Sequence, residues 1–351
     1  MTIEQEIQQK AYALGIHKCG IIRTEAMADY ADRLKERMER IPNGEMLYGN
    51  FLPFADIKKD MPWAKSIIVL VSHYGHYVLP EKSITTGYGK SYFVDTRFNP
   101  HAPERQKIMA FDDCLHGLGI KTVWNEHPGI TAMRWAAHKA GLGIIRRNNF
   151  LYTEKGSWVW GTAIAIDREM ELIEAPALPE CPADCNKCIQ ACPTKSLSKP
   201  YTMNMATCVS RLTTSNDMTS YDDAINRQIG KRIYGCDVCQ DVCPMNQDKW
   251  KTRDVFPGLK DLERFLSPAA ILALSYEEIE NNLAPKFFYI KKENLWRWKL
   301  NAINAMVNNY QDDYETPIKN ALEDNYKIVR EKAQWALEKL KNMPCPVSSQ
   351  A

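Results

Sequence analysis

At 351 residues the chain is too long for a lone electron carrier and long enough for two or three domains with a sizeable core. Its 45 Lys and Arg nearly balance 43 Asp and Glu, so no global field points to nucleic acid or to an anionic membrane, and any such surface must be local. The longest aliphatic run, residues 67–71, falls far short of a membrane span and reads as a buried strand.

The opening MTIEQEIQQK is acidic and polar where a secretory signal needs a basic start and an apolar run, which predicts a cytoplasmic protein with reduced thiols. Thr2 and Gln5 form a capping box for a helix carrying Ile3, Ile7, Ala11 and Leu14 and stopped by Gly15, and a strand follows at 19–22. A second helix fits 26–40, Asn43-Gly44 breaks the chain, and Pro62-Trp63 lead into a strand at 66–72. Residues 80–100 lack periodicity and read as a loop lining a face of the domain, with Tyr88, Lys90 and Tyr92 on it. A helix over 103–118 and a strand over 121–124 end at Asn125-Glu126-His127-Pro128, after which Thr131 caps a helix closed by Gly141. Titratable residues between a strand and a helix stand where α/β sheets place chemistry, although a turn histidine before proline is the plainer reading of His127. Arg146-Arg147-Asn148-Asn149 and an alternating pattern from Gly156-Ser157-Trp158 to Asp167 precede the proline-rich linker 175–179.

Eight of the eleven cysteines then fall in one stretch. They form Cys181-x3-Cys185-x2-Cys188-x3-Cys192-Pro and Cys236-x2-Cys239-x3-Cys243-Pro, with Cys208 between the two runs. A cubane cluster needs four thiolates on one inorganic core, and a CxxC turn aims two of them the same way. By the two-cluster ferredoxin rule, in which the Cys-Pro cysteine crosses over, Cys181, Cys185, Cys188 and Cys243 would hold one 4Fe-4S cluster and Cys192, Cys208, Cys236 and Cys239 the other. Zinc is the main rival, but zinc knuckles rarely place proline after the last cysteine of two separate runs. The first interval is three residues where the ferredoxin run has two, which loosens a turn without removing a ligand. Cys19, Cys114 and Cys345 stand alone and read as small apolar fillers or a tail thiol.

Beyond Cys243 the chain becomes helical. Trp296, Leu300, Ile303 and Val307 mark one apolar face, and Val329, Ala333, Ala336 and Leu340 another, a pairing like a small HEAT-type repeat opened by Val329-Arg330. Between Lys286 and Lys299 basic and aromatic residues interleave, including Lys291, Lys292, Trp296 and Arg297. An RNA groove uses that mixture, and so does an ordinary amphipathic helix.

The combination resembles the epoxyqueuosine reductase family, cobalamin-dependent iron-sulphur enzymes of queuosine-tRNA maturation related to reductive dehalogenases. The markers are Ala64 to Leu70, Arg134 to Gly143 ending in AGLG, Gly156-Ser157-Trp158, ACPT at 191–194, and Tyr234-Gly235-Cys236-Asp237-x-Cys239-Gln240-x-x-Cys243-Pro244. The resemblance implies an α+β chain: a nitroreductase- and reductive-dehalogenase-like α/β cobalamin-binding core over 1–174, a ferredoxin-like two-cluster domain over 175–255, C-terminal helical HEAT-like repeats over 256–342 and a tail over 343–351. It further implies base-off cobalamin held near Arg134, Gly156, Ser157 and Trp158, a tRNA substrate, an external electron donor such as ferredoxin or flavodoxin, no membrane partner and a monomer. None of the seven histidines follows an aspartate by two positions, so cobalamin would lack the histidine ligand of D-x-H-x-x-G enzymes. Where the family has an aspartate, a gapless alignment on Arg134 and Gly141 places His127, beside Glu126. The family's Asp-Tyr-His appears as Ser91-Tyr92-Phe93, and its Gly-Lys-His/Asn as Arg146-Arg147-Asn148. The proton donors to weigh are therefore His127, Glu126 and Tyr92 assisted by Arg147. A paralogue reducing a small molecule is the alternative, and an electron-transfer protein without its own substrate a second.

Overall fold

The computed structural model describes residues 1–94, 99, 101–125, 129–175, 178–216 and 222–341. The chain divides into two compact units. Unit 1 comprises Met1–Val78, Val94–Cys208 and Val238–Phe256, and unit 2 comprises Leu79–Phe93, Val209–Asp237 and Pro257–Ala351. The division departs from the linear boundaries expected at 174 and 255, because the cysteine-rich segment contributes to both units.

Unit 1 is built on strands β1 (Lys18–Arg23), β2 (Ser66–His73), β3 (Thr122–Trp124), β4 (Ile144–Ile145), β5 (Leu151–Tyr152) and β6 (Val159–Ile166). Four of them form one antiparallel sheet in the order β1-β2-β6-β3, while β4 and β5 pair as a separate antiparallel ribbon. The register sets Gly20 opposite Val69 and Ser66 opposite Ile166. Every residue of β2 from Ser66 to Ser72 is buried, because both faces of the sheet are covered. Ile67, Val69 and Val71 pack with Trp135, Ala136 and Ala137 of helix α4 (Met133–Lys139), while Ile68 and Leu70 pack with Ile7 and Ala11 of α1 (Ile3–Ala13) and Phe111 and Leu115 of α3 (Pro103–Gly117). Pleating sends alternate side chains to opposite faces, so an unbroken aliphatic run serves two cores. Gly141 ends α4 at φ +71°, and a Cβ there would lie 1.6 Å from the Glu174 carbonyl oxygen, which only glycine avoids.

Three expected elements differ. The helix expected over 26–40 divides into a 3₁₀ turn, Thr24–Met27, and helix α2 (Tyr30–Glu39). Asp29, at the break, does not cap α2: its carboxylate accepts from Trp135 Nε1 at 2.9 Å and pairs with Lys139 at 2.8 Å. Thr131 does not cap α4, since its hydroxyl donates to the Phe54 carbonyl at 2.8 Å. The segment expected as a loop over 80–100 carries the short helices Lys82–Thr85 and Lys90–Phe93 and, as far as Phe93, belongs to unit 2. Its aromatics bury instead of lining a face: Tyr88 is buried with its hydroxyl on the Leu266 carbonyl at 2.8 Å, and Gly89 N–H donates to the Tyr234 carbonyl.

In unit 1 the cysteine segment adds short helices α5 (Lys187–Ala191) and α6 (Val238–Asp241). Unit 2 is helical, centred on α7 (Trp296–Asn308) with α8 (Lys327–Lys341) packed on it. All of α7 from Trp296 to Val307 is buried, polar residues included. Those polar residues form a stripe that satisfies an irregular segment. Asn301 Nδ2 donates to the carbonyls of Thr213 and Ile233, Asn304 Nδ2 to those of Asn226 and Gly230, and Arg297 Nη1 to that of Leu212. A buried backbone carbonyl without such a donor costs about 1–3 kcal/mol. Lys299 pairs with Asp324 at 2.9 Å in the same interior. Arg297 and Lys299, which the RNA reading counted as phosphate contacts, are therefore structural, while Lys291 and Lys292 remain exposed.

Candidate iron-sulphur centre and its bracket

The eight cluster cysteines are placed by different means. Cys188, Cys192 and Cys239 share one apolar cluster with Ile189, Leu197, Met203 and Val242 in unit 1. Cys188 feels the charges of both Cys243 and Cys181, which after burial are among the causes raising its thiol, so three members of the expected Cys181–Cys185–Cys188–Cys243 set lie near one another. Cys208 follows the 3₁₀ turn Met205–Thr207 in unit 1, and Cys236 packs against Val209, Leu212 and Ile229 in unit 2. Among the described residues no three His, Cys, Asp or Glu side chains are gathered closely enough for a single metal ion. Thiolates around a cubane stand farther apart than those around one zinc ion, whose Zn–S bonds are about 2.3 Å.

The turn between β4 and β5 holds both cysteine runs. Asn149, at φ +65°, closes that turn, with Arg146 N–H on the Phe150 carbonyl at 3.0 Å. Arg147 spends its guanidinium on the first run: Nη1 donates to the Cys185 carbonyl at 2.7 Å and Asn186 Oδ1 at 3.1 Å, and Nη2 to the Ala183 carbonyl at 2.9 Å. Arg146, 2% exposed, donates to the Pro179 carbonyl at 2.7 Å and to Cys181 Sγ at 3.6 Å, and lies over the Tyr152 ring. Asn148 reaches the second run, donating to the Cys239 carbonyl at 3.0 Å and to the Tyr152 hydroxyl at 2.9 Å. Tyr152 in turn bonds Cys243, and burial followed by that bond raises its hydroxyl well above the ordinary tyrosine value.

Gly156 and Ser157, expected near cobalamin, fasten the end of the second run. Ser157 N–H donates to Asn246 Oδ1 at 2.8 Å and its hydroxyl to Gln240 Oε1 at 2.8 Å. A Cβ on Gly156, at φ +82°, would lie 2.4 Å from that Asn246 oxygen, so the close approach requires glycine. Trp158 is buried edge-on to Tyr74 and Trp250. Arg134 Nη1 donates to the Asn149 carbonyl at 2.6 Å, and Arg134 and Ser157 both border a cavity of about 50 Å³ with Met133, Phe150 and Gly161. Of the expected proton donors, Tyr92 lies in unit 2, its hydroxyl 3.2 Å from Ser210 Oγ and its ring edge-on to Tyr234 and Tyr289. Glu126 and His127 lie outside the described residues. A larger cavity, about 260 Å³ between α7 and α8, contains none of the residues expected to carry chemistry.

Sequence reasoning missed Arg146, Asn148 and Tyr152 as partners of the cysteines, and Gln240 and Asn246 as their anchors. The Arg146-Arg147-Asn148-Asn149 run was visible. Its targets, more than 30 residues away, were not.

Residues 181–246 match the 4Fe-4S double cluster binding domain. Together with the mixed α/β fold, that defines an iron-sulphur oxidoreductase. The proteins it is similar to are epoxyqueuosine reductases. Those of Bacillus subtilis and Atelocyanobacterium thalassa are each 28% identical, over 96% of this chain and 88% of the first protein, and over 80% and 90% for the second. The fold matches a crystal structure of epoxyqueuosine reductase with a tRNA-Tyr epoxyqueuosine-modified tRNA stem loop, with TM-score 0.78, 24% identity, and 96% and 90% of the two chains covered. It also matches epoxyqueuosine reductase from Streptococcus thermophilus, with TM-score 0.75, 23% identity, and 99% and 92% covered.

Proposed function

We propose that this protein reduces epoxyqueuosine to queuosine in tRNA, with two 4Fe-4S clusters and base-off cobalamin as its cofactors. The observation that carries the reading is the β4–β5 turn, to which residues of both cysteine runs are fixed by side-chain hydrogen bonds. Rigid placement is what electron transfer through a cluster requires, because a ligand loop that moves costs reorganisation at each step. Removing an epoxide oxygen as water takes two electrons and two protons, so a reductant such as ferredoxin or flavodoxin has to feed the clusters.

The smaller cavity, at about 50 Å³, is too small to enclose a corrin and would offer it only a polar notch. Arg134 and Ser157 border that notch, Asn149 Nδ2, one residue before the lining Phe150, is buried without a partner, and corrin side-chain amides offer both donors and acceptors. Cobalamin bound there would supply a low-valent cobalt for the reduction. Arg134 and Asn149 would orient it, while Ser157, whose N–H and hydroxyl are held by Asn246 and Gln240, would only bound the notch. Trp158, buried against Tyr74 and Trp250, would add apolar bulk beside Ser157. His127 is the first choice to donate a proton, since its ordinary pKa lies nearest neutral, with Glu126 second and Tyr92 third. Arg147, committed to the cysteine loop, serves as a brace in this reading. The helical unit of α7 and α8 forms HEAT-like repeats, and the protein acts as a monomer in the cytoplasm.

The test is turnover of epoxyqueuosine-containing tRNA by the reduced, cofactor-loaded protein. Queuosine formation by wild type, with His127→Ala or Glu126→Gln slowed at least about tenfold as for loss of a general acid, is the expected result. An inactive wild type with full clusters and cobalamin would move the substrate to a small molecule.

A further inference from the structure

Two amide side chains beside Tyr152 have orientations fixed by the backbone. Asn148 Nδ2 faces the Cys239 carbonyl at 3.0 Å, which can only accept, and the same nitrogen donates to the Tyr152 hydroxyl at 2.9 Å. Asn246 Oδ1 takes the Ser157 N–H at 2.8 Å, leaving its Nδ2 to donate to the Gln240 carbonyl and Ser157 Oγ, with the Tyr152 hydroxyl 3.5 Å away. The Ser157 hydroxyl proton is committed to Gln240 Oε1. The Tyr152 oxygen is thus supplied with an N–H, and the acceptor for its own proton is Cys243 Sγ. A cluster thiolate carries charge and is a strong acceptor. Arg146 adds a second donor to the same ligand set, with Nη1 on Cys181 Sγ at 3.6 Å and its guanidinium 5.1 Å from the Tyr152 ring centroid.

We infer that Tyr152 and Arg146 set the reduction potential of the cluster held by Cys181, Cys185, Cys188 and Cys243, each donating a hydrogen bond to one of its thiolates. The inference rests on the reading of these four cysteines as one cluster's ligands. Hydrogen bonds to cluster sulphurs favour the reduced core, which carries one more negative charge, and so raise the potential. No proton is transferred and no bond is broken. The two residues make this cluster easier to reduce than its ligand set alone would. They are positioning residues, acting on electron transfer through the cluster and not on the substrate.

The experiment is a redox titration of the anaerobically loaded full chain, followed by electron paramagnetic resonance of the reduced clusters. Tyr152→Phe, and separately Arg146→Gln, should each move the midpoint of one cluster to lower potential and leave the other in place. Replacing Tyr152 by 3-fluorotyrosine, which keeps the ring and strengthens the O–H donor, should move the same midpoint upward. Unchanged midpoints in a protein with both clusters intact overturn the inference. Should Tyr152→Phe fail to retain iron, the fluorotyrosine protein decides alone. A wild type that assembles no cubane would instead defeat the ligand reading, and iron and sulphide analysis distinguishes that result from an unchanged midpoint.

Discussion

At the scale of single residues, the side chains around the sheet of unit 1 divide into those that anchor the cysteines and those held uncharged by burial. His17, at the edge of β1, and His73, at the end of β2, stand with ring centroids 6.1 Å apart, and His73 lies 5.5 Å from His76. Burial, with the nearby Lys155, pushes both His17 and His73 down to about 3. The unfolded chain, with its histidines near 6.5, therefore takes up protons that the folded one refuses. Their contribution to stability is complete above about pH 6.5 and is lost as the pH falls from there toward 3. Denaturant midpoints measured from about pH 7 to pH 4 should drop steadily, and His73→Phe, which removes a ring nitrogen buried without a partner, should flatten that acid limb. An unchanged slope in the variant would show that His73 does not contribute to that acid limb.

At the scale of elements, the β4–β5 turn and helix α7 solve the same problem, an irregular segment whose backbone needs donors it cannot supply itself. In the turn, the Arg147 guanidinium satisfies two carbonyls of the first cysteine run. Arg147→Ala should loosen that run, so reconstituted protein should carry about four iron per chain in place of about eight, as expected for loss of one of two cubanes. Full iron content would show the loop to be held by other contacts. In unit 2, Lys299 and Asp324 form a pair 10% and 4% exposed. Burial alone would raise Asp324, but hydrogen bonds from Tyr276, the Tyr326 N–H and Lys299 more than offset it, leaving the carboxylate below its ordinary value. That stability is present above the ordinary carboxylate range and disappears as the pH falls through the depressed value. Lys299→Met should cost about 3 kcal/mol near neutral pH, as for one partner lost from a buried pair, and should move the onset of acid unfolding to higher pH. Thermal melts across acidic pH measure both effects.

At the scale of the whole molecule, a nearly balanced charge means that a polyanion has to be met by local cations. With Arg297 and Lys299 committed to the interior, half-exposed Lys286 and exposed Lys291 and Lys292 are what remains of the basic-aromatic stretch for phosphate contact. If tRNA binds there, Lys291→Glu should weaken binding and make its dependence on salt shallower by about one ion, as expected for one lost phosphate contact. Arg297→Gln should act on stability instead, because it strips a donor from the buried Leu212 carbonyl. Filter-binding titrations over a salt series, paired with melts, separate the two.

The features that depend on local spacing were legible in the sequence. The eight-cysteine pattern, the capping box at Thr2 and Gln5, the doubly buried β2 and the apolar faces of α7 and α8 all follow from a few consecutive residues. Each of those signals repeats at the period of its own element, so no distant partner is needed to read it. What the tertiary structure decided was the use of polar side chains. Arg147 read as a helper to Tyr92 and is a brace for Ala183 and Cys185; Thr131 read as a helix cap and was taken by Phe54; Arg297 and Lys299 read as RNA contacts and went to the interior. A polar side chain goes to whichever buried donor or acceptor would otherwise go unmet, and that demand is set by segments far away in the chain.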